Sequence, residues 1–166
     1  MVFEIGNVFE LEGKAVRQKK MLGIAASGPL PVVQWEGKVR NFDFFDLKGV
    51  VEELLDAAGV QDAAFSAPEE PLYQPGQTCV VEVAGKRLAV LGKVDPKAAE
   101  IYGLRAAAFF CEMDLELLLD CAREKTTRYQ AISKFPAIVR DIAMVLDQGV
   151  KAGDVLVFLR KFRGEL

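Results

Sequence analysis

With 166 residues, the chain is long enough to bury one well-packed core. It is 51% hydrophobic and 27% charged, with a formal net charge of −3, which is typical of a globular protein and excludes a disordered one. The chain contains no histidine, which excludes serine–histidine and cysteine–histidine nucleophile pairs and histidine-based metal sites.

The cysteines Cys79, Cys111 and Cys121 lack the short paired spacing of a zinc site or a disulfide framework. We therefore expect reduced thiols in a cytoplasmic protein. No apolar run approaches the ~20 residues that span a bilayer. Residues 2–5 are typical of a strand rather than of a secretory leader, so the sequence predicts no association with a membrane.

Two strands and a loop are predicted before the first helix. Residues 3–10 and 21–26 have the composition of strands, with Gly6 placed as a bulge in the first. Residues 29–41 contain two prolines and no hydrophobic period, so we predict a loop in which Trp35 is a packing anchor.

Residues 43–58 show the clearest helical period in the chain. Asp43 is placed to accept hydrogen bonds from the first-turn amides, and Gly59 is placed to end the helix in a left-handed conformation. We expect a mostly antiparallel sheet to pack on this helix. The apolar residues at helical spacing are Leu47, Val50, Val51, Leu54, Leu55 and Ala58.

A strand-rich segment follows the helix. Residues 79–83 and 87–92 flank Ala84-Gly85-Lys86, which indicates a hairpin. Pro96 is placed to open a short helix that ends before Gly103. The other predicted elements are strands at 62–66 and 107–114 and a helix at 115–124 with Leu115, Leu118, Leu119 and Ala122 on its apolar side.

The charge balance changes along the chain. Residues 1–121 hold 12 Lys/Arg and 19 Asp/Glu, whereas residues 122–166 hold nine and five. A basic end on an acidic body favours a polyanionic partner, and it is equally consistent with cations that only solvate a surface.

The basic end is predicted as a separate piece. Residues 126–135 form a linker and residues 139–146 a strand. Residues 151–162 form an amphipathic helix with Val155, Phe158, Leu159 and Phe162 on its apolar side. One strand and one helix cannot close a core, so we expect residues 126–166 to be a truncated domain.

Four blocks of the sequence, taken in order, form a recognisable set. They are Phe3-Glu4-Ile5-Gly6-Asn7-Val8-Phe9, Asp43-Phe44-Phe45-Asp46-Leu47-Lys48-Gly49, Leu91-Gly92-Lys93-Val94-Asp95-Pro96 and Ser133-Lys134-Phe135-Pro136-Ala137-Ile138-Val139-Arg140-Asp141. In this order and rough spacing they resemble the C-terminal part of the bacterial phenylalanyl-tRNA synthetase beta subunit. The resemblance extends over nearly the whole chain, and the last block is the most distinctive.

The resemblance implies an α+β fold in which residues 1–125 are a non-catalytic domain similar to class II synthetases, with an antiparallel sheet and flanking helices. Residues 126–166 are then the linker, first strand and first helix of a ferredoxin-like anticodon-binding domain. Two such subunits assemble with two catalytic alpha subunits, which use ATP and Mg²⁺ to attach phenylalanine to tRNA. The resemblance implies no cofactor in this piece.

The resemblance also implies a lost ATP site. A class II enzyme carries a glycine-rich strand followed by a helix with a phosphate-binding arginine, and residues 109–117 are the similar segment. Glu112 and Asp114 then occupy glycine positions, and Leu117 occupies the arginine position. Carboxylates repel a triphosphate and leucine cannot form the bidentate contact, so no catalytic residue is expected.

Glu112 and Asp114 have a second interpretation. They alternate with Met113 on a predicted strand, so their side chains share one face, where a carboxylate pair can do acid–base chemistry. A solvated sheet face is favoured, because no nucleophile or cluster of metal ligands accompanies them.

Candidate RNA-binding residues lie in the basic end. Arg140 stands beside Asp141, so a local ion pair competes with a tRNA contact, and a solvated helix end is an equal alternative for the last three candidates. The full set of candidates is Lys134, Arg140, Arg160, Lys161 and Arg163.

Three functions remain open from the sequence. The first is a non-catalytic scaffold that holds a catalytic subunit and presents a tRNA-binding domain. The second is a freestanding enzyme with a remodelled class II-like pocket that uses Glu112 and Asp114. The third is a general RNA-binding module that depends on residues 122–166.

Overall fold

The structure is a computed structural model that describes residues 1–30, 39–60, 62–124, 134, 136 and 139–161. It divides into two compact units, Met1–Thr127 and Arg128–Leu166. The predicted packing anchor Trp35 and almost all of the predicted linker lie outside the described residues. In chain order the elements are β1 (Val2–Glu12), β2 (Ala15–Ser27), α1 (Phe44–Ala58), β3 (Ala64–Ser66), β4 (Tyr73–Val83), β5 (Lys86–Val94), α2 (Pro96–Ile101), β6 (Ala108–Asp114), α3 (Leu115–Glu124) and α4 (Ala152–Lys161).

The first unit is an α+β fold built on one six-stranded sheet with the order β1-β2-β6-β5-β4-β3. Every neighbouring pair of strands is antiparallel. The prediction of an antiparallel sheet with helices is therefore confirmed.

The β1–β2 hairpin differs from its prediction in two respects. Gly6 is not a bulge, because it pairs with Met21 in a register that runs unbroken from Val2 to Glu12. β2 begins at Ala15, before the predicted residue 21, because Gly13 takes a left-handed conformation and the two-residue turn reverses the chain at once. The sequence did not predict this extension because residues 17–20 are all polar.

The central helix is confirmed as α1. The Asp43 carboxylate accepts hydrogen bonds from the N–H groups of Phe45 and Asp46, at 2.8 and 3.0 Å. The Asp46 carboxylate accepts one in return from the Asp43 N–H at 2.9 Å, which completes a capping box. Gly59 ends the helix with φ of 77°.

The core lies between the sheet and the helices α1 and α3. From α1, Leu47, Val51 and Leu55 are buried, as the helical period predicted. On α3 the prediction is partly wrong: Leu118 is buried, but Leu119 is 46% exposed. The residues buried in this core are Leu22, Ile24, Leu47, Val51, Leu55, Cys79, Val81, Leu88, Ala89, Leu91, Phe109, Cys111, Met113 and Leu118.

The β4–β5 hairpin is confirmed with longer strands than predicted. Ala84 and Gly85 form its two-residue turn, both with positive φ. β4 extends back to Tyr73, with an irregularity between Tyr73 and Thr78 that the sequence does not signal.

The second unit does not contain the predicted strand at residues 139–146. The structure describes these residues, and none of them pairs with a strand. A strand needs a neighbour for its backbone hydrogen bonds, and no strand occurs among the residues described after Glu124. The predicted helix is present as α4, and Phe162 from its predicted apolar side lies outside the described residues. None of the helices described in either unit is long and apolar enough to cross a membrane.

Candidate functional site: the open face of the sheet

The sheet face opposite α1 and α3 is here called the open face. On β6 the buried residues Phe109, Cys111 and Met113 contribute to the core on the helix side. Because side chains alternate along a strand, Phe110, Glu112 and Asp114 lie on the open face. Both predicted carboxylates therefore share one face.

Asp114 has a structural task at the junction of β6 and α3. Its Oδ1 accepts a hydrogen bond from the backbone N–H of Leu117 at 2.9 Å. The residue precedes α3, so this contact is an N-terminal cap that satisfies one of the free amides of the first turn. The carboxylate is therefore committed to the backbone of α3.

Leu117, at the predicted arginine position, packs towards the core and not towards the open face. It is partly buried and packs against the core on the helix side of the sheet. This packing follows from the first turn of α3, in which the amide of Leu117 turns back towards Asp114. The side chain at this position contributes to the core, where it has apolar neighbours.

Glu112 lies in a groove of about 330 Å³ that mixes charges of both signs. The cations beside it are already paired: Lys19 with Glu10 at 2.8 Å, and Arg87 with Glu70 at 2.9 Å. Glu112 has no ion-pair partner in the part of the chain that the structure describes. Of the two predicted carboxylates, Glu112 is therefore the one without a structural partner among the described residues.

Sequence reasoning missed an aromatic cluster on the open face. Tyr73, Val80 and Val90 are buried together there, and Phe110 packs against them. The Tyr73 ring lies so close to Gly92 that a Cβ at that glycine would be 2.7 Å from Cδ1. Burial raises the pKa of Tyr73, so its hydroxyl stays neutral.

The alternation of side chains along β6 could have predicted that Phe110 lies on the open face, because it is two residues from Glu112 on the same strand. The burial of Tyr73 could not be predicted from the neighbouring sequence, because the residue reaches this cluster through the irregular start of β4. In the described residues, Tyr73 Oη and Gln74 Oε1 are buried without a hydrogen-bond partner.

The predicted RNA-binding residues are only partly described. Lys134, Arg140 and Lys161 are exposed in the second unit. Arg140 and Asp141 are both described and form no ion pair; Arg140 Nη1 donates instead to the carbonyl of Val139 at 3.4 Å. The side chain of Arg160 and the whole of Arg163 lie outside the described residues.

The acidic and thiol groups of the described residues form neither a metal site nor a reactive thiol at Cys111. Over the described ranges, no three His, Cys, Asp or Glu side chains lie close enough together to hold a metal ion. Burial raises the pKa of Cys111 to about 12, so its thiol is unreactive at neutral pH.

Similar solved structures support the fold. A pyrrolysyl tRNA synthetase from Desulfitobacterium hafniense superposes with a TM-score of 0.51 and 20% identity, over 70% of this chain and 39% of the other. A second structure of a pyrrolysyl-tRNA synthetase from the same organism gives a TM-score of 0.50 at the same identity and coverage. The fold is thus that of a class II synthetase, while the ferredoxin-like piece is not identified by this likeness.

Curated relatives extend the comparison to the whole chain. A phenylalanine–tRNA ligase beta subunit from Symbiobacterium thermophilum is 33% identical over 99% of this chain and 19% of its own length. Those from Clostridium acetobutylicum and Thiobacillus denitrificans are 31% and 36% identical over 99% and 96% of this chain. The chain spans about a fifth of the length of these relatives.

Residues 1–115 match the model of a family described as the phenylalanyl tRNA synthetase beta chain CLM domain. This match covers more than half of the chain and contains the first three of the four blocks from which the resemblance was inferred, while the fourth, residues 133–141, lies beyond it. The chain belongs to the phenylalanyl tRNA synthetase beta chain family.

Proposed function

We propose that this chain is a non-catalytic part of the beta subunit of a cytoplasmic phenylalanine–tRNA ligase. In this proposal the assembled protein contains two alpha and two beta subunits. The alpha subunit uses ATP and Mg²⁺ to attach phenylalanine to tRNA, and this part of beta serves as a scaffold. Family membership supports the identity of the subunit, and the β6–α3 segment supports the loss of catalysis.

The observation that carries the loss of catalysis is the occupation of three positions on that segment. The resemblance puts Glu112 at a glycine position of an ATP-binding strand, and its carboxylate lines a groove on the open face, where it would repel a triphosphate. Asp114 is held as the cap of α3. Leu117 is packed against the core, where it cannot present a donor to phosphate. Phe110 adds a ring to the same open face.

Nucleotide binding by the isolated chain tests this proposal. We expect no change in its melting temperature as ATP and Mg²⁺ are raised through the millimolar range, because a ligand that does not bind the folded state does not stabilise it. The catalytic alpha subunit, measured in parallel, is the positive control. A saturable rise in the melting temperature of this chain, together with adenylate-forming exchange above a heat-killed control, would overturn the proposal.

We propose further that residues 126–166 open a ferredoxin-like tRNA-binding domain. The support is the excess of cations in this part of the chain and the exposure of Lys134, Arg140 and Lys161. Arg160 and Arg163 complete the proposed set of contacts. Full-length beta subunit with all five changed to glutamine should bind tRNA more weakly and with a shallower dependence on salt.

A matched variant separates this role from general charge. Lys14, Lys20, Lys86, Lys93 and Lys97 lie in the first unit, and the change of these five to glutamine removes the same number of cations without touching residues 126–166. Equal loss of tRNA binding in both variants would contradict the assignment. Family membership does not favour the freestanding enzyme or the general RNA-binding module, so we propose neither.

A further inference from the structure

Residues 70–77, here called the strap, carry an aromatic side chain onto the open face of the sheet. Between the Tyr73 and Thr78 pairs of the β4–β5 hairpin, residues 74–77 face only Lys93. The extra residues interrupt the ladder of backbone hydrogen bonds that joins the two strands elsewhere. The strap is therefore held to the sheet less regularly than the rest of β4.

Few interactions fasten the strap in the described structure. Glu70 pairs with Arg87 at 2.9 Å, and the two side chains are 22% and 49% exposed. An ion pair with that exposure adds little stability. The Tyr73 N–H donates to the carbonyl of Glu70 at 3.0 Å within the strap itself, and the Asp95 N–H donates to the carbonyl of Leu72 at 2.9 Å. A local opening of the strap would break few bonds.

The side chain that the strap buries is Tyr73. It is 5% exposed and packs with Val80, Val90 and Phe110. Gly92 makes room for the ring, because a Cβ there would lie 2.7 Å from Cδ1 and 3.1 Å from Cγ. Val80 pairs with Val90, and Gly92 with Phe110, in unbroken parts of the ladder. The floor under the ring therefore belongs to regular strands and not to the strap.

The Tyr73 hydroxyl is poorly matched to the place in which it is buried. Its Oη has no hydrogen-bond partner among the described residues, and neither has the buried Oε1 of the next residue, Gln74. A buried polar atom without a partner destabilises the state that buries it, because water would bind it in the open state. Both atoms therefore favour opening of the strap.

The site under the strap suits a phenyl ring better than a phenol. Its lining is aliphatic and aromatic, and the hydroxyl placed in it finds no partner. A ring without the hydroxyl would fill the same volume and keep the same contacts without burying that polar atom. The chemistry of the site thus selects a flat, apolar six-membered ring.

We propose that Tyr73 is a displaceable plug in a binding site for the phenyl group of a small molecule. When the strap opens, the Tyr73 ring leaves Gly92, and the phenyl group of the ligand packs there against Val80, Val90 and Phe110. The Tyr73 hydroxyl then reaches water. The strap keeps the site shut until a better-matched ring competes for it.

The first test removes the hydroxyl and keeps the ring. Tyr73→Phe should raise the melting temperature of the chain and slow hydrogen exchange of the residue-73 amide at least threefold, because the closed strap no longer buries an unpaired hydroxyl. Tyr102→Phe, at a side chain that is 74% exposed, is the matched control and should change neither quantity. An unchanged or lower melting temperature for Tyr73→Phe would overturn the proposal.

The second test offers the parent chain a competing ring. Benzyl alcohol, raised through the millimolar range, should speed exchange of the residue-73 amide until the effect saturates, because the ligand holds the strap open. 4-Hydroxybenzyl alcohol carries the phenolic hydroxyl and should act at least tenfold more weakly. The amide of Leu91, on β5, is the internal reference and should not change. Equal effects of the two alcohols, or faster exchange at Leu91, would contradict a specific site.

The third test empties the site. Tyr73→Ala should be stabilised by benzyl alcohol, with a saturable rise in melting temperature that exceeds the rise in the parent chain. Gly92→Ala keeps Tyr73 but crowds its ring, so it answers the same question if Tyr73→Ala does not fold. It should speed exchange of the residue-73 amide at least tenfold without ligand, whereas Gly23→Ala should not. Failure of the ligand to stabilise a folded Tyr73→Ala, or an unchanged exchange rate in Gly92→Ala, would overturn the proposal.

Discussion

The two faces of the six-stranded sheet bury different kinds of side chain. On the helix side, aliphatic residues from both layers interlock, and Leu47, Val51 and Leu91 have no exposed surface. On the open face, an aromatic cluster around Tyr73 fills one end, and Glu112 and Asp114 stand at the other. Both α1 and α3 pack on the helix side, so neither helix covers this second face.

This difference assigns the stability of the domain to the helix side of the sheet and leaves the open face for a binding site. The helix side has the continuous close packing that holds a domain together. The open face carries Phe110, Glu112 and the cap residue Asp114, and in the proposed function these residues replace a nucleotide site. Loss of a site on this face would leave the fold intact, because the core lies on the other side of the sheet.

The largest expected effect is on the helix side. Leu91→Ala removes a side chain with no exposed surface and should lower the free energy of unfolding by about 2–5 kcal/mol, measured by urea denaturation. Val90→Ala, one residue away on the open face, should cost only about 1–2 kcal/mol. Equal losses of unfolding free energy in the two variants would show that both faces of the sheet contribute equally to stability.

The next effect tests how tightly the open face is filled. Gly92→Ala places a Cβ 2.6 Å from the Gln77 carbonyl oxygen and 2.7 Å from the Tyr73 ring, so we expect a loss of about 1–3 kcal/mol. Gly23→Ala is its control, because its Cβ would meet Phe110 at an ordinary 3.6 Å. Both variants are compared with the parent chain by thermal melts. A neutral Gly92→Ala would mean that the cluster around Tyr73 is loosely packed.

A smaller effect distinguishes the two carboxylates. Asp114→Ala removes the cap of α3 and should cost about 0.5–2 kcal/mol in urea denaturation, whereas Asp114→Asn retains an acceptor and should cost less. Glu112→Ala should be close to neutral, because Glu112 has no structural partner among the described residues. A greater loss for Glu112→Ala than for Asp114→Ala would mean that Glu112, and not Asp114, supports the fold.

The smallest effect concerns the start of α1 and depends on pH. Two hydrogen bonds of 2.6 Å from Arg40 are the main cause that lowers the pKa of Asp46 from 3.8 to about 2. Because the pKa is lower in the folded state, this stabilisation is present above about pH 4 and is lost as the pH falls towards 2. Asp46→Asn should therefore be less stable than the parent chain at pH 7.

The measurement is urea denaturation of both chains at pH 7 and at steps between pH 4 and 2. The difference between them should shrink over that interval. Asp56→Asn, near the other end of α1, is the control for the loss of one negative charge. A difference that persists at pH 2 would show that the amide disrupts the capping box for reasons other than charge.

Local patterns were sufficient to predict several elements. Asp43, the apolar period of residues 47–58 and Gly59 are all contained in one short segment, so α1 was predicted with its correct ends. The same holds for the hairpin around Gly85 and for the alternation that places Glu112 and Asp114 on one face. These features depend on neighbours in sequence.

Partners distant in sequence decided the rest. β2 is long because β1 pairs along its polar beginning, and Tyr73 is buried because it meets Gly92 and Phe110 from other strands. Residues 139–146 have the composition of a strand but find no strand to pair with in the part of the chain described. Composition and periodicity therefore determined which segments are able to form helices and strands, together with their capping residues. The tertiary structure decided which strands pair and which faces are covered, because pairing and burial require groups that the local sequence does not contain.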